Sequence, residues 1–530
     1  MTSWGTPRPA SSRVALVAEL LPDQLRLMAS AYPDEVGYRN LDSGGSITFG
    51  QWDRESNRLA RGLAAKGVAK GDRVAIYLEA DQILDWIVSY SAVHKLGAVA
   101  VPTNNRLSAP EVRAIFEHAE VTAIVTSGVY AEVITPLIGS LPTLSVVAVA
   151  GPVPIEGCLD LEDVKSPDDG MIQEPTTEDD LADIMYTSGT TGRAKGVAVR
   201  HGVISMLPNA VPEWRGTGWL TASPVFTFAG LGFIHNPMKL GMTALYLPKF
   251  DIGQWLDAVE RERPTATFVV PAMAQLLIHD PRFEEADLSS LQMVTLGSAP
   301  LAPDTLRRLQ EAVPDAAVLN SYGQTEGGYA TFTMDPEASR TRPGAVGKPR
   351  PPVEVRIVDD AGTDVAVGEV GEVTTKYPGK HREYYKDPEA TAAMWEGGWL
   401  HSGDLGYLDA DGYLYIVGRK KEMIIRGGMN VYANDVEAVL HAHPAVLEAA
   451  VVGVPHEVLG EDVAAFVALR AGEVVSADEL QEFAAERLAG YKVPRQITYL
   501  AKLPRNAGGK VLKRQLVADH GAEATTVVRG

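Results

Sequence analysis

Cysteine, basic charge and long apolar runs are all scarce in this chain of 530 residues. The single cysteine, Cys158, excludes an intrachain disulfide framework and a zinc site built from several cysteines. The uncharged stretch 216–238 contains four glycines and two prolines, whereas a membrane-spanning helix needs about 20 mostly apolar residues. We therefore expect no stable membrane insertion, and we interpret this stretch as a buried strand, loop and helix.

The shortage of basic residues bears on which anionic molecules and surfaces the chain can bind. Lys and Arg number 48 against 68 Asp and Glu, which gives a net charge of −20. Such an acidic chain is a poor candidate for binding the phosphate backbone of DNA or RNA, or an anionic lipid surface. Residues 1–30 contain no compact basic segment and Glu19 interrupts their apolar stretch, so a secretory signal is not expected. This composition favours a cytoplasmic protein that binds no nucleic acid.

The spacing of apolar residues predicts the fold. In the first two thirds of the chain, helical segments separate short apolar runs, a pattern typical of βαβ units and parallel sheets. These runs lie at 74–78, 98–102, 123–125, 146–150, 244–247, 267–270 and 293–296. From about 343 to 418, alternating strands and turns indicate an antiparallel β section. We expect an α/β fold with a large N-terminal domain over 1–420, which includes this section, and a small mobile α+β domain over 421–530.

A loop rich in glycine and hydroxyl groups is the strongest local signal. Residues 187–196 read Thr-Ser-Gly-Thr-Thr-Gly-Arg-Ala-Lys-Gly. Glycines let several backbone N–H groups point at one anion, the hydroxyls add donors, and Lys195 adds a positive charge. It is not a Walker loop, because Ala194 stands where glycine is required. The segment therefore predicts a phosphate-binding loop, and a solvated turn is the alternative.

Two further polar loops follow apolar runs. Residues 296–300 read Leu-Gly-Ser-Ala-Pro, and residues 321–326 read Ser-Tyr-Gly-Gln-Thr-Glu. Because ligands bind outside the carboxyl ends of parallel strands, the three loops are expected to meet at one crevice. Tyr322 can offer a ring face to a base, and Glu326 can hold Mg²⁺. Taken alone, Tyr322 also fits a half-buried core aromatic and Glu326 a carboxylate at a helix start.

With further motifs, these loops resemble those of the adenylate-forming superfamily, which includes acyl-CoA synthetases, aryl-CoA ligases, peptide-synthetase adenylation domains and luciferases. Residues 187–196 resemble its phosphate loop and 322–326 its adenine and magnesium motif. Residues 399–404 (Trp-Leu-His-Ser-Gly-Asp) resemble its ribose motif, 418–419 its following arginine, and 420–422 its interdomain hinge. Residues 506–510 (Asn-Ala-Gly-Gly-Lys) resemble its catalytic lysine loop. The motifs run in order across nearly the whole chain, which is therefore identified as a member.

The resemblance implies a reaction in two steps. A carboxylate attacks the α-phosphorus of ATP to give acyl-AMP and pyrophosphate, and a thiol, usually that of coenzyme A, then displaces AMP. It also implies the cofactors ATP, Mg²⁺ and coenzyme A, and an enzyme of the acid–CoA ligase type. The implied catalytic residues are Lys510, Glu326, Thr187 and Lys195, and the implied metal ligands are Glu326 and Thr187.

The same resemblance implies the cofactor-binding residues. They are Thr187, Ser188, Gly189, Thr190, Thr191 and Lys195 for phosphate; Gly297, Ser298, Ala299, Pro300, Ser321, Tyr322, Gly323, Gln324 and Thr325 for the nucleotide; Asp404 and Arg419 for ribose; and Lys421, Gly427, Gly428 and Lys510 from the hinge onwards. Lys421 is the implied pivot of a domain rotation between the two steps. In isolation, Lys510 fits a solvated loop lysine and Arg419 an interdomain salt bridge.

The acyl pocket is expected to be roomy and apolar. Thr227 stands where the family usually has histidine, and no acidic residue stands nearby for an α-ammonium group. The expected pocket residues are Phe226, Thr227, Phe228, Gly230, Pro271, Met273, Gly297 and Gly323. Fatty, aromatic and bulky alicyclic acids all fit. Transfer to a carrier protein, a non-catalytic nucleotide- or acyl-binding protein, and a luciferase-like oxygenase remain alternatives, and a homodimer is compatible with the sequence.

Overall fold

The structure is a computed structural model that describes residues 8–9, 20–187, 194–205, 207–299, 301, 303–328, 332–506 and 510–524. Its helices are α1 (Leu21–Ala31), α2 (Phe49–Ala65), α3 (Ile83–Lys95), α4 (Ala109–Ala119), α5 (Ala131–Ile134), α6 (Leu161–Val164), α7 (Phe228–Lys239), α8 (Ile252–Glu262), α9 (Pro271–Ile278), α10 (Pro281–Glu285), α11 (Pro303–Ala312), α12 (Pro336–Thr341), α13 (Pro388–Met394), α14 (Ala433–His441), α15 (Ala477–Ala485) and α16 (Lys513–Ala524).

The strands alternate with these helices up to β16 and then follow one another more closely. They are β1 (Arg8–Pro9), β2 (Val36–Asn40), β3 (Ser46–Thr48), β4 (Arg73–Tyr77), β5 (Val99–Pro102), β6 (Ala123–Ser127), β7 (Val146–Ala150), β8 (Leu159–Asp160), β9 (Leu181–Thr187), β10 (Lys195–Arg200), β11 (Glu213–Trp214), β12 (Gly218–Thr221), β13 (Thr243–Tyr246), β14 (Ala266–Val269), β15 (Met293–Leu296), β16 (Ala317–Asn320), β17 (Phe332–Thr333), β18 (Ala345–Pro349), β19 (Glu354–Val358), β20 (Gly371–Lys376), β21 (Glu383–Tyr384), β22 (Leu400–Leu408), β23 (Leu414–Arg419), β24 (Ile424–Arg426), β25 (Met429–Val431), β26 (Val446–His456), β27 (Gly460–Leu469) and β28 (Gln496–Tyr499).

Two largely parallel sheets form the N-terminal part, as the apolar runs predict. The eight-stranded sheet has the order β21-β10-β9-β5-β4-β6-β7-β8, and the seven-stranded sheet has the order β16-β15-β14-β12-β13-β2-β3. The strands β4 to β7 are fully or almost fully buried because helices cover the sheet faces, so they read as continuous apolar runs. The stretch 216–238 forms β12, a loop and α7, as expected.

The phosphate loop and the other two polar loops start from different sheets. β9 belongs to the eight-stranded sheet, whereas β15 and β16 are parallel neighbours in the seven-stranded one. Their convergence therefore depends on contacts between the two sheets and does not follow from one shared sheet edge.

The predicted antiparallel section is present, with one exception. The six-stranded sheet β17-β18-β23-β22-β20-β19 is antiparallel throughout. β21 lies within the same stretch of sequence but pairs antiparallel with β10 at the edge of the N-terminal sheet, with Tyr384 opposite Val197. This strand brings residues 382–387 to the phosphate loop.

The chain passes from the six-stranded sheet to the last sheet over four residues. β23 ends at Arg419, a single 3₁₀ turn covers Lys420–Glu422, and β24 begins at Ile424 in the five-stranded sheet formed by β24 to β28. That sheet packs with α14 and α15 around its own buried apolar cluster. The domain boundary at residues 420 and 421 remains a prediction.

None of the helices in the described residues combines the length and the apolar composition that crossing a bilayer requires.

Candidate active site

The phosphate loop connects the two strands of a hairpin. β9 and β10 are antiparallel, and Thr187 lies opposite Lys195. Both side chains are half-buried. The hairpin therefore holds the two ends of the loop together. The predicted phosphate ligands Ser188, Gly189, Thr190 and Thr191 lie outside the described residues, as does Pro300.

A buried polar group that sequence reasoning missed anchors the start of this hairpin. Asp183 of β9 is fully buried. Its carboxylate accepts a hydrogen bond from the Tyr90 hydroxyl at 3.0 Å and lies 3.0 Å from His94 Nε2. A buried carboxylate needs such partners because leaving it unpaired is costly. α3 thereby fixes the strand that leads into the phosphate loop. An acidic residue inside an apolar strand indicates a buried polar contact, but the sequence does not indicate that α3 supplies its partners.

The loops after β15 and β16 are held close together. The backbone N–H of Ser321 donates to the carbonyl of Leu296 at 2.7 Å. A Cβ atom at Gly297 would lie 3.1 Å from the Ser321 carbonyl oxygen, so glycine allows this approach. Ser298 has a φ of +71°, an uncommon conformation for a residue other than glycine. Local strain of this kind is often found at functional sites.

Tyr322 and Arg419, from the predicted nucleotide and ribose motifs, both contact Asp404, one by a hydrogen bond and the other by an ion pair. The Tyr322 hydroxyl donates to Asp404 Oδ2 at 2.7 Å, and Arg419 Nε lies 3.0 Å from Asp404 Oδ1. The Asp404 side chain is only 6% exposed. Burial and the neighbouring Asp404 charge raise the pKa of Tyr322 well above its usual value, so Tyr322 stays a hydrogen-bond donor. The carboxylate is therefore held in a fixed orientation.

Lys510 lies within electrostatic range of Asp404 and Arg419. Its ammonium group is 3.6 Å from Glu422 Oε1, and the N–H of Lys510 donates to Asn506 Oδ1 at 2.9 Å. Burial lowers the pKa of Lys510, the nearby Arg419 charge lowers it further, and Glu422 and Asp404 oppose the shift. The predicted catalytic lysine and the predicted ribose carboxylate are therefore close enough to interact electrostatically.

Lys195 and Glu326 meet at Tyr384, a residue that sequence reasoning did not select. The Tyr384 hydroxyl donates to Glu326 Oε1 at 3.3 Å. The Lys195 ammonium lies 4.4 Å from the centre of the Tyr384 ring and 3.9 Å from Asp387 Oδ2. Tyr384 is nearly 190 positions beyond Lys195 in the sequence, and only the pairing of β21 with β10 brings them together.

Arg382, also unselected, links the nucleotide loop to the expected acyl pocket. It is fully buried. Its guanidinium donates to the carbonyls of Thr325 at 2.7 Å and Val203 at 2.6 Å, and it lies 4.5 Å from the centre of the Phe228 ring. Burial lowers the pKa of Arg382 to about 10. This side chain therefore supports both the loop that carries Glu326 and one wall of the pocket.

The expected acyl-pocket residues gather around the start of α7 and the start of α9. Phe226 and Phe228 are half-buried, and Phe228 packs against the large N-terminal core. Pro271 begins α9, and Met273 packs against the core of the seven-stranded sheet. Gly230 is required by packing, because a Cβ atom there would lie 1.9 Å from the Pro224 carbonyl oxygen. A Cβ atom at Gly323 would meet open space.

Thr227 has a structural role at the position where the family usually has histidine. Its hydroxyl accepts a hydrogen bond from the Gly230 N–H at 3.0 Å and donates to the Pro224 carbonyl at 2.8 Å. Thr227 is thus the N-cap of α7. Its side chain therefore stabilises the start of α7, where Phe228 forms part of the expected pocket wall.

We expect Thr227→Ala to lower the free energy of unfolding by about 1 kcal/mol, because the N-cap hydrogen bond is lost. Chemical denaturation of the variant and of Thr227→Ser measures this difference, and the serine variant should retain most of the stability. Equal stability of Thr227→Ala and the unchanged protein would show that the cap contributes nothing.

The predicted hinge residues lie near the site but contact it less. Lys421 has an exposed side chain, and partial desolvation of its ammonium group and the charges of Arg419 and Lys510 lower its pKa. Gly427 and Gly428 form the exposed turn of the β24–β25 hairpin. The Gly427 N–H donates to the Leu459 carbonyl at 2.8 Å. Their roles in the second step remain predictions.

The chain is similar to known proteins over most of its length. The family model for AMP-binding enzymes matches residues 25–385, and the model for their C-terminal domain matches residues 435–510. A feruloyl-CoA synthase of Amycolatopsis sp is 36% identical over 480 residues, which cover 89% of this chain and 94% of that protein. A fatty acid–acyl-carrier-protein ligase of Streptomyces coeruleorubidus is 33% identical over 489 residues, 90% of this chain and 92% of that protein.

The fold is also similar to that of a solved structure. The crystal structure of an anthranilate CoA ligase in complex with anthranoyl-AMP is similar with a TM-score of 0.86 at 26% sequence identity, and the match covers 96% of this chain and 98% of that one. Family models, relatives and fold thus match over both the N-terminal and the C-terminal part. The chain belongs to the AMP-binding enzymes of the adenylate-forming superfamily, and it is an acid–CoA ligase that acts through an acyl-AMP intermediate.

Proposed function

We propose that this enzyme activates a hydrophobic monocarboxylic acid with magnesium ATP and transfers the acyl group to coenzyme A. The observation that supports the assignment of residues is that Lys510, paired with Glu422, lies within electrostatic range of Asp404 and Arg419, and that Tyr322 and Arg419 both contact Asp404. In the first step, a carboxylate oxygen attacks the α-phosphorus, and the bond to the bridging oxygen breaks as pyrophosphate leaves. In the second step, the thiol sulfur attacks the acyl carbon, the thiol proton is lost, and AMP leaves with its oxygen.

The protein supplies position and charge for these steps. We propose that Asp404 accepts hydrogen bonds from the ribose hydroxyls, since Tyr322 and Arg419 already fix its orientation. Lys510 would contact the incoming carboxylate and the α-phosphate, which are both anionic and repel each other. A positive charge placed at that point stabilises the transition state more than the separated reactants. Thr187 and Lys195, at the ends of the phosphate loop, would bind the β- and γ-phosphates.

We propose Glu326 as the protein ligand of Mg²⁺. Magnesium is usually held by one or two carboxylates together with substrate phosphates and water. Glu326 fits this role because its carboxylate is half-buried, and Tyr384 donates a hydrogen bond to its Oε1 atom. The residues described contain no cluster of three or more carboxylate, histidine or cysteine groups that would hold a metal independently of a nucleotide. The bound ion would offset charge on the leaving pyrophosphate.

The proposed acid is apolar and carries one carboxylate. Phe226, Phe228, Pro271 and Met273 offer aromatic and aliphatic surface. Arg382 lies 4.5 Å from the centre of the Phe228 ring, but it is fully buried and already donates to two main-chain carbonyls, so a second carboxylate would have to compete with these contacts. The related proteins act on feruloyl, fatty acyl and anthranoyl groups by their names. We therefore favour aromatic, fatty and bulky alicyclic acids over amino acids, because no acidic residue stands near Thr227 to pair with an α-ammonium group.

Pyrophosphate release across a panel of acids tests this proposal. The purified protein is incubated with ATP and Mg²⁺, with and without coenzyme A, and with acids that span chain length, single rings and fused alicyclic rings. We expect turnover with apolar acids, AMP and an acyl-CoA as products, and faster turnover when coenzyme A is present. No release with any apolar acid would contradict the proposed substrate class.

A carrier protein is the second candidate acceptor, because one relative is a ligase for an acyl-carrier protein. Pyrophosphate release that gives acyl-AMP without acyl-CoA would favour it over coenzyme A. Loading of a purified phosphopantetheinylated carrier protein, followed by intact mass measurement, would then identify the acceptor.

A further inference from the structure

Tyr384 lies between two groups of opposite charge at the phosphate end of the site. Lys195 lies over one face of its ring, and Glu326 accepts a hydrogen bond from its hydroxyl. A cation over an aromatic face and a carboxylate at a phenol hydroxyl are both favourable contacts. The neutral side chain of Tyr384 thus contacts both Lys195, the proposed ligand of the γ-phosphate, and Glu326, the proposed ligand of Mg²⁺.

The backbone around Tyr384 is held firmly. The Tyr384 N–H donates to Thr391 Oγ1 at 2.9 Å, and the Tyr385 N–H donates to the Gly196 carbonyl at 2.7 Å. Gly196 directly follows Lys195, so strand pairing ties the position of the tyrosine ring to that of the lysine. Burial and the adjacent Glu326 charge raise the pKa of Tyr384, which keeps its hydroxyl protonated as a donor.

Without a nucleotide, Lys195 and Glu326 would attract each other. Their direct pairing would occupy both groups and close the space that a magnesium triphosphate needs. No ion pair joins these two residues in the part of the chain that the structure describes, and Lys195 instead lies 3.9 Å from Asp387. Asp387 is itself held in place, because its Oδ1 atom accepts a hydrogen bond from the Ala390 N–H at the start of α13. Tyr384 and Asp387 together hold the Lys195 ammonium group away from the Glu326 carboxylate.

We infer that Tyr384 is a positioning residue that keeps Lys195 and Glu326 apart and orients the Glu326 carboxylate for magnesium ATP. This inference rests on the proposed roles of Lys195 and Glu326. The ring provides the separation, and the hydroxyl fixes one carboxylate oxygen so that the other faces the ligand. Hydrogen bonds to a metal-binding carboxylate from outside the metal site commonly matter for affinity.

Ligands that differ only in their phosphates separate this role from a general structural one. Magnesium α,β-methylene-ATP carries the β- and γ-phosphates and the metal, whereas AMP carries neither and depends on the Tyr322–Asp404–Arg419 group. Isothermal titration calorimetry of both ligands is carried out on full-length Tyr384→Phe, Tyr384→Leu and, as a matched control, Tyr385→Phe. The Tyr385 ring contacts the His118 ring at a centroid distance of 5.7 Å and packs against a buried apolar cluster of the N-terminal part.

We expect Tyr384→Phe to weaken binding of the magnesium analogue about tenfold and Tyr384→Leu about a hundredfold, in the range found when such hydrogen-bond partners of metal ligands are removed. AMP affinity should be unchanged in both variants, and Tyr385→Phe should bind both ligands normally. Unchanged binding of the analogue by both Tyr384 variants would overturn the inference, and so would an equal loss of affinity for AMP.

The variant Glu326→Gln distinguishes failure of this inference from failure of the proposed function. If Glu326→Gln weakens binding of the magnesium analogue while the Tyr384 variants do not, the role of Tyr384 is wrong and the magnesium assignment stands. If Glu326→Gln binds the analogue normally, the magnesium assignment itself is wrong. Tyr384→Phe preserves the ring, so it keeps the test valid even if Tyr384→Leu fails to fold.

Discussion

Lys510→Ala should lower the rate of acyl-AMP formation by about 10²–10³, the usual cost of removing one charged contact to a transition state. The lysine lies beside Asp404 and Arg419, at the point where we propose that the acid meets the α-phosphate. Two anions must approach each other there, and alanine offers no charge to offset their repulsion. Thioester formation from supplied acyl-AMP should remain nearly intact, because that step has no entering anion at phosphorus.

Single-turnover assays of the two half-reactions measure this difference. Lys502→Ala is the matched control, since Lys502 is an exposed lysine in the same part of the C-terminal domain and its loss changes the net charge equally. It should leave both half-reactions unchanged. Equal loss of both half-reactions in Lys510→Ala would contradict the assigned role.

The lowered pKa of Lys510 adds a pH dependence to this first prediction. The protonated ammonium is the active form, so adenylation should slow as the pH rises through that lowered pKa. Lys510→Arg should move the alkaline decline to higher pH, because arginine stays protonated. Supplied acyl-AMP should react with coenzyme A without this lysine-dependent decline.

Lys421→Pro should have the opposite effect: acyl-AMP formation is retained and thioester formation falls by about 10², the scale expected when reacting groups are misplaced. Lys421 lies within the 3₁₀ turn Lys420–Glu422 that connects the six-stranded and five-stranded sheets. Proline fits the first turn of a helix, where the N–H has no helical partner. Its fixed φ would favour the present orientation and oppose a rotation about this residue.

Lys421→Ala is the control for this second prediction, because it removes the ammonium group and leaves the backbone free to rotate. It should support thioester formation far better than the proline variant. The same two half-reaction assays apply, with limited proteolysis to compare the accessibility of residues 420–423. A proline variant that completes both steps normally would show that the pivot lies elsewhere.

Much of the fold could be predicted from the sequence. Apolar runs such as 146–150 and 293–296 became β7 and β15, because strands buried on both faces read as continuous hydrophobic segments. The alternating pattern after residue 343 became the six-stranded antiparallel sheet. Membership of the AMP-binding enzymes was predicted from ordered motifs and is confirmed by the family models.

Other features depended on contacts between distant segments. Tyr384 and Arg382 lie in a stretch that reads as part of the antiparallel section, yet β21 joins the edge of another sheet. Thr227 aligns with a pocket histidine, but its hydroxyl caps α7. Asp183 carries a charge within an otherwise apolar strand, and its partners Tyr90 and His94 are supplied by α3.

The sequence by itself determined the secondary structure, the fold class, the order of the motifs and the chemistry they carry, because periodicity and loop composition are local properties. Only the tertiary structure decided which residues hold those motifs in place. Edge pairing of β21 and burial of Asp183 and Arg382 depend on segments that are about 90 to 190 positions apart. Short local patterns contain no information about which distant segment will supply a partner, whereas close packing and the cost of unpaired buried polar groups decide it in the folded chain.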